Sequence, residues 1–309
     1  MLDKRIRVLN FDNSVRRQSR LFSQYQSEII DLTEFASSAR LYMSGALRKR
    51  IAGRISSSGK NSPTFLGSGD FHHISEILTG SIDQPFCLVV FDAHPDWDIL
   101  PPRFGCGSWV SRAVENRKIP KILLIGALSG DLSSVALETG NLGALRENRL
   151  EIYPYSHKCS RVFFRRIPRN NSVIVRRGLF SDKVTWHRLE NEELGEFTLK
   201  LIRRLPANKV YISIDKDCLK KEFALTNWEE GSLRLNQLLT MLKVMRDNLD
   251  IIGLDVTGDY SPSWVSGSIK AVISRLDHPR EFSGRNYPDD LMLRVNEEAN
   301  LKILQELFS

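Results

Sequence analysis

The sequence predicts an α/β fold, a three-layer α/β/α sandwich around a mostly parallel central sheet. Short β-branched, apolar runs recur along the chain, separated by segments of helical periodicity. Most of these runs are continuously apolar rather than alternating, the pattern of strands covered by helices on both faces. The order βαβα brings such strands into one sheet.

The first strand is RIRVLNF, around Val8. Residues 35 to 60 read as a basic helix followed by a Ser/Gly/Pro-rich surface turn. FLGSGDFHHIS then supplies an apolar strand end, a glycine turn and the pair His72-His73. Further strands are FCLVVFD ending at Asp92, KILLIGA from Lys121, SVIVRR from Ser172, KVYISID ending at Asp215 and DIIGLDV ending at Val256. Over 232 to 247, Leu235, Leu238, Leu239 and Leu242 form the apolar stripe of a helix. From Pro288 a last amphipathic helix carries Leu291, Val295, Leu301, Ile303, Leu304 and Leu307 toward the sheet. The length of 309 residues suits a single α/β domain spanning 1–309.

A hydrophobic fraction of 41% and a charged fraction of 26% exclude a disordered or fibrous chain. No stretch approaches the roughly 18 apolar residues of a membrane span, and the start is charged where a signal peptide has its apolar centre. A cytoplasmic protein is expected, and the scattered Cys87, Cys106, Cys159 and Cys218 read as reduced thiols. The net charge of +7 is uneven: Lys158, Arg161, Arg165, Arg166, Arg169, Arg176 and Arg177 crowd a stretch without acids. With Phe163 and Phe164 among them this is the best anion-binding candidate. A strand with a solvated basic face is the simpler reading, so nucleic acid is not the expected partner.

Two apolar strands end in carboxylates, and in open α/β sheets ligands sit beyond the carboxyl ends of strands. Asp92, His94 and Asp96 of DAHPD lie at i, i+2 and i+4, and Asp215 and Asp217 repeat the i, i+2 spacing, so Ala93 and Lys216 face away. Four carboxylates in one crevice require raised pKa values or bound cations, and two divalent ions balance them. A carboxylate and imidazole set without thiolate favours ions such as Mn²⁺. One histidine of His72-His73 completes the set.

These pieces resemble the ureohydrolase superfamily of arginase, agmatinase and formimidoylglutamase. Its pattern is a GGDHS-like element, then DAHxD, then SxDxD, traced here from Leu66 to Pro262 and including EEGSLRLNQLL at Glu229. The resemblance implies a hydrolase that cleaves a linear C–N bond of a guanidino, amidino or amide compound with a metal-bridging hydroxide. By the same token Asp92 and Asp215 would bridge two metals, His72 and Asp96 would complete one ion, and His94 and Asp217 the other. Laying FHHI over DHSI gives His72, while the extra residue after Gly69 also allows His73. Asp96 is implied as the proton acceptor. Family members often assemble into homo-oligomeric rings.

The departures concern substrate. Where the family has a catalytic histidine stands Cys106 of FGCGSW, either a poor proton shuttle or a packing residue. Where it has a guanidinium-binding glutamate stands DVTGDYSP, giving Gly258 or, with a one-residue bulge, Asp259. Two alternatives stay open. One is a deacetylase-like amidohydrolase with a single zinc; the other is a catalytically silent anion- or RNA-binding protein on the same scaffold.

Overall fold

The computed structural model describes residues 2–55, 61–128, 130–133, 136–263, 265, 267–278 and 287–309. Its strands are β1 (Ile6–Asn10), β2 (Ser27–Asp31), β3 (Thr64–Gly67), β4 (Cys87–Phe91), β5 (Ile122–Ile125) and β6 (Leu150–Tyr153). They continue with β7 (Ser160–Phe163), β8 (Val173–Arg177), β9 (Ser181–Trp186), β10 (Lys209–Asp215) and β11 (Asp250–Thr257). Eight of them form one sheet in the order β2-β1-β3-β11-β10-β4-β5-β6. Every neighbouring pair in it is parallel.

The apolar runs sort residue by residue to the two faces, because successive strand side chains point oppositely. In β4, Leu88 and Val90 join a core with Ile51, Ile77, Trp109 and Val110, while Val89 and Phe91 join another with Phe197, Leu238, Leu242 and Leu304. The first core lies under the helices Gly45–Ile55, Ser75–Gly80 and Trp109–Glu115. The second lies under Leu194–Ile202, Leu235–Asn248 and Asp289–Phe308. A fully buried Leu, Val or Phe contributes about 1.5–3 kcal/mol, so two-sided burial is what makes the strand run continuously apolar. The three-layer sandwich is thus observed.

Two details depart from the sequence reading. SVIVRR is a strand but not part of the main sheet: β8 pairs with β9 and β9 with β7 in a separate antiparallel sheet. There Val173 and Val175 face the first core while Ile174 and Arg176 face out, the alternation of a sheet covered on one side only. In the last helix, Leu301, Ile303, Leu304 and Leu307 are buried as expected, but Leu291 and Val295 are only half-buried, and Met292, Asn296, Ala299 and Asn300 are buried instead. Asn296 faces in because its amide satisfies both the backbone N–H and the carbonyl of Leu225, at 3.0 and 2.8 Å. The basic helix is seen as Gly45–Ile55, whereas positions 56–60 of the turn after it lie outside the described residues.

Candidate metal centre

β4 and β10 are neighbours in register, Ile214 beside Phe91, so the residues that follow, Asp215 and Asp92, leave the sheet side by side. After β3, residues Gly69–Ile74 form a 3₁₀ helix that carries His72 to the same edge. These placements converge on a cavity of about 230 Å3 lined by His72, Asp92, His94, Asp96, Asp215, Asp217, Asp98, Cys106 and Trp228. All six expected ligands therefore meet.

Their atoms fall into two groups sharing Asp92: His72, Asp92 and Asp96, and Asp92, His94 and Asp217. His72 Nδ1 is 3.0 Å from Asp92, 3.5 Å from Asp96 and 3.6 Å from Asp215. His94 Nδ1 is 2.8 Å from Asp217 and 3.6 Å from Asp92. Among the described residues no lysine or arginine pairs with any of these aspartates. Backbone amides hold the carboxylates in place: Asp92 accepts from His94 N–H, Asp215 from Asp217 N–H, and Asp217 from Ala93 N–H. Asp96 sits in a left-handed conformation with φ of 47°, a strain found where surroundings fix a functional group.

Burial pushes the carboxyls of Asp215 and Asp217 up, aided by their acidic neighbours. Burial and Asp92 push Asp96 up to about 8. Against the same burial, His72 and His94 hold Asp92 low. The two histidines lie well above their usual range despite burial, because carboxylates surround them. Five of the six groups thus hold their protons to higher pH than usual, the response of a buried acidic cluster with no lysine or arginine paired to it among the described residues.

The tautomer of His72 follows from its far side. Ser213 donates its hydroxyl to Asp255 at 2.7 Å, so its oxygen accepts from His72 Nε2–H at 2.9 Å. Asp255 in turn is held by Tyr211 and Ser75. A proton on Nε2 leaves the Nδ1 lone pair facing the carboxylates, the arrangement a metal-binding histidine requires. His72 Nδ1 and Asp92 Oδ2, both buried, lack hydrogen-bond partners although they stand 3.0 Å apart. In that tautomer the two acceptors need a cation between them, which a proton or a metal ion can be, and the carboxylate and imidazole donor set fits a pair of divalent ions.

The choice between the adjacent histidines is visible. His73 points away, its Nδ1 3.5 Å from Cys106 Sγ, and burial with the nearby Lys270 lowers it to about 3. Cys106 lines the cavity, but its thiol is pushed well up by burial and donates to the carbonyl of Asp70 at 3.1 Å. Asp259 is not brought to the cluster: its carboxylate meets Lys216 Nζ at 2.9 Å and Gln18 at 2.6 Å. The position facing Asp215 is Gly258, with φ of +87°, where a Cβ would lie 2.5 Å from Asp215 Oδ1. Lys216, fully buried, points away as its spacing requires.

Sequence reasoning missed several contributors. Trp109 donates Nε1–H to Asp96 at 2.7 Å. Trp228 packs edge-on against His94 at 5.2 Å and donates to Asp70 at 2.9 Å. Asp70 is also bound by Arg40 and by His278 at 2.9 Å, which fixes the turn that bears His72. A carboxylate inside the apolar run DIIGLDV was the one available signal for Asp255; the tryptophans gave none.

No protein-family model matches the chain. An uncharacterized protein of Thermotoga maritima is 28% identical over 200 residues, 64% of this chain and 58% of that one, so the match spans less than two thirds of that relative. Among solved structures, the arginase of Entamoeba histolytica superposes with a TM-score of 0.56 at 11% identity, covering 100% of this chain and 99% of that one. The formimidoylglutamase of Bacillus subtilis gives 0.57 at 11% identity, covering 99% and 88%. The proclavaminate amidino hydrolase of Streptomyces clavuligerus gives 0.54 at 14% identity, covering 97% and 94%. The chain has the fold of these hydrolases, in keeping with the resemblance read from its motifs.

Proposed function

We propose that this chain is a divergent ureohydrolase-type enzyme that hydrolyses a C–N bond of a small guanidino or amidino compound at a dinuclear site. The observation that carries the reading is the convergence of four buried aspartates and two histidines without any lysine or arginine among the described residues to neutralise them. Asp92 and Asp215 would be shared, His72 with Asp96 would hold one ion, and His94 with Asp217 the other. Bound there, two divalent ions, manganese by the oxygen-rich donor set, would make water a nucleophile near neutral pH and stabilise developing negative charge.

The chain's own groups then have distinct work. Ser213 and Asp255 fix the ring of His72 and its tautomer. Trp109 aims one oxygen of Asp96, and the other is left to receive a proton from the attacking water. The neutral Cys106 thiol acts as wall rather than base. Asp259, neutralised by Lys216, supports the fold beneath the site rather than the substrate. Among the described residues no helix is long and apolar enough to cross a membrane. All four cysteines are free, which suits the reducing cytoplasm this reading assumes. Assembly into homo-oligomers belongs to the same reading.

The test is to load the purified protein with Mn²⁺, count ions per chain and assay urea, ammonia and amine release across guanidino, amidino and amide compounds. Two ions with guanidino or amidino hydrolysis are expected. One zinc with amide hydrolysis alone would move the reading to a deacetylase-like enzyme, and no bound ion would overturn it.

A further inference from the structure

The metal cavity opens into a second cavity of about 150 Å3, and Asp98, Cys106, Gly107 and Trp228 line both. The walls of the second are of another character: Leu41, Tyr42, Leu100, Pro101, Pro102 and Ile273. No lysine or arginine lines it among the described residues, so nothing there offers a charge-assisted bond to a carboxylate. Its shape is set before any ligand arrives. Leu41 N–H donates to the carbonyl of Asp70 and its own carbonyl accepts from Cys106 N–H, both at 2.9 Å. Met43 N–H donates to Phe104 at 2.8 Å, so the segments 41–43 and 104–106 are clasped together. Leu41 is held at a φ of 65°, a conformation costly for a branched side chain, on the wall of this cavity.

We infer that the second cavity is the subsite for the leaving amine, and that the substrate carries an apolar tail on the nitrogen that departs. This rests on the reading of the metal centre given above. A small apolar cavity next to a polar reaction centre is the arrangement that buries a ligand's carbon chain while a few polar groups orient its reacting end. The ligand class is an N-alkyl or N-aralkyl guanidine or amidine. For an alkylguanidinium, water adds its oxygen to the guanidino carbon and the bond from that carbon to the alkyl nitrogen breaks. The two protons of water pass to the departing nitrogen, and the products are urea and an alkylammonium ion. The apolar tail distinguishes such a substrate from arginine, whose far end carries a carboxylate that no cation among the described lining residues can pair.

The experiment uses the manganese-loaded full chain with ethyl-, butyl- and hexylguanidinium beside arginine. Each buried methylene is expected to raise kcat/KM about fourfold until the cavity is filled, with arginine below the longest chain. In parallel, binding is read from tryptophan fluorescence, the Trp228→Phe variant identifying the responsive ring. Affinity should tighten along the series and Leu100→Asp, at a half-exposed position, should flatten it. Hydrolysis that is indifferent to chain length, or that favours arginine, would overturn the subsite and leave the metal chemistry standing. If no guanidine is hydrolysed the proposed activity fails, and the fluorescence series alone then decides whether the cavity takes an apolar chain: tightening supports it, a flat series removes it.

Discussion

Asp215 and Asp217 stand on either side of Lys216, yet these three consecutive side chains enter two buried polar clusters with opposite electrostatics. On one side of the strand end, Lys216 meets Asp259 at 2.9 Å, with Gln18 and the carbonyl of Asn296 completing the contacts. Burial pulls the lysine below its ordinary range and Asp259 pulls it back, so charge is balanced from within the chain. On the other side, Asp215 and Asp217 join Asp92 and Asp96 with imidazoles only. There burial and mutual repulsion raise three of the carboxyls. The first cluster carries its own cation; the second has none from lysine or arginine among the described residues, as a metal site would. Buried acids are thus informative about function only when the accounting of nearby cations is done.

The sharpest way to break this contrast is Asp92→Asn. Asp92 belongs to both ligand groups, so both ions should be lost, a larger effect than the roughly 10–100-fold that supporting residues cost. Metal analysis of the purified variant reads it directly, and retention of both ions would dismantle the assignment.

Lys216→Met should act on the other property. It strands a buried carboxylate, and breaking such a pair costs about 3–5 kcal/mol, measured by urea unfolding. The ion count should be unchanged, and adding Asp259→Leu should recover much of the loss. A Lys216→Met protein that folds normally but cannot hold metal would show that the two clusters are one.

Ser213→Ala sharpens the comparison further. It removes the acceptor that fixes His72, so manganese affinity should fall roughly 10–100-fold, with unfolding of the metal-free protein little changed. Equal affinities in a chelator competition would mean that the tautomer of His72 is set elsewhere.

The smallest effect concerns a third buried acid, Glu151, which Lys121 meets at 2.7 Å and Tyr153 at 2.6 Å. Burial pushes this carboxyl up, but these bonds hold it below its ordinary range. A group that titrates lower when folded gives stability that is complete above its unfolded pKa of about 4.3 and is lost as pH falls through the folded value. Glu151→Gln should therefore be less stable than the parent at neutral pH, and the gap should close in acid. A gap that persists unchanged at low pH would mean that the carboxylate is not the source.

The parts of the molecule that were legible in the sequence are those in which local pattern and chemistry coincide. DAHPD and SIDKD each follow a run buried on both faces, so the spacing alone placed Asp92, His94, Asp96, Asp215 and Asp217 toward one edge and Lys216 away from it. Which histidine points inward was not legible, because it depends on the pitch of the 3₁₀ turn Gly69–Ile74 and on Asp70 being tied to Arg40 and His278. SVIVRR reads as one more buried strand because Val173, Ile174 and Val175 are all apolar. Only its register with β9 shows that Ile174 faces outward, 64% exposed. Trp109 and Trp228 reach the site by tertiary packing and leave no mark in the motifs.

Gly258 carries a lesson for redesign. Its Cα faces the carboxylate of Asp215 so closely that any side chain would meet that oxygen at 2.5 Å and the backbone nitrogen of Lys216 at 2.8 Å. A glutamate grafted there would displace the Asp215 carboxylate before its own could reach the cavity. Placing an acidic side chain at this position by one exchange is therefore closed off, and any such redesign must first rebuild the end of β11.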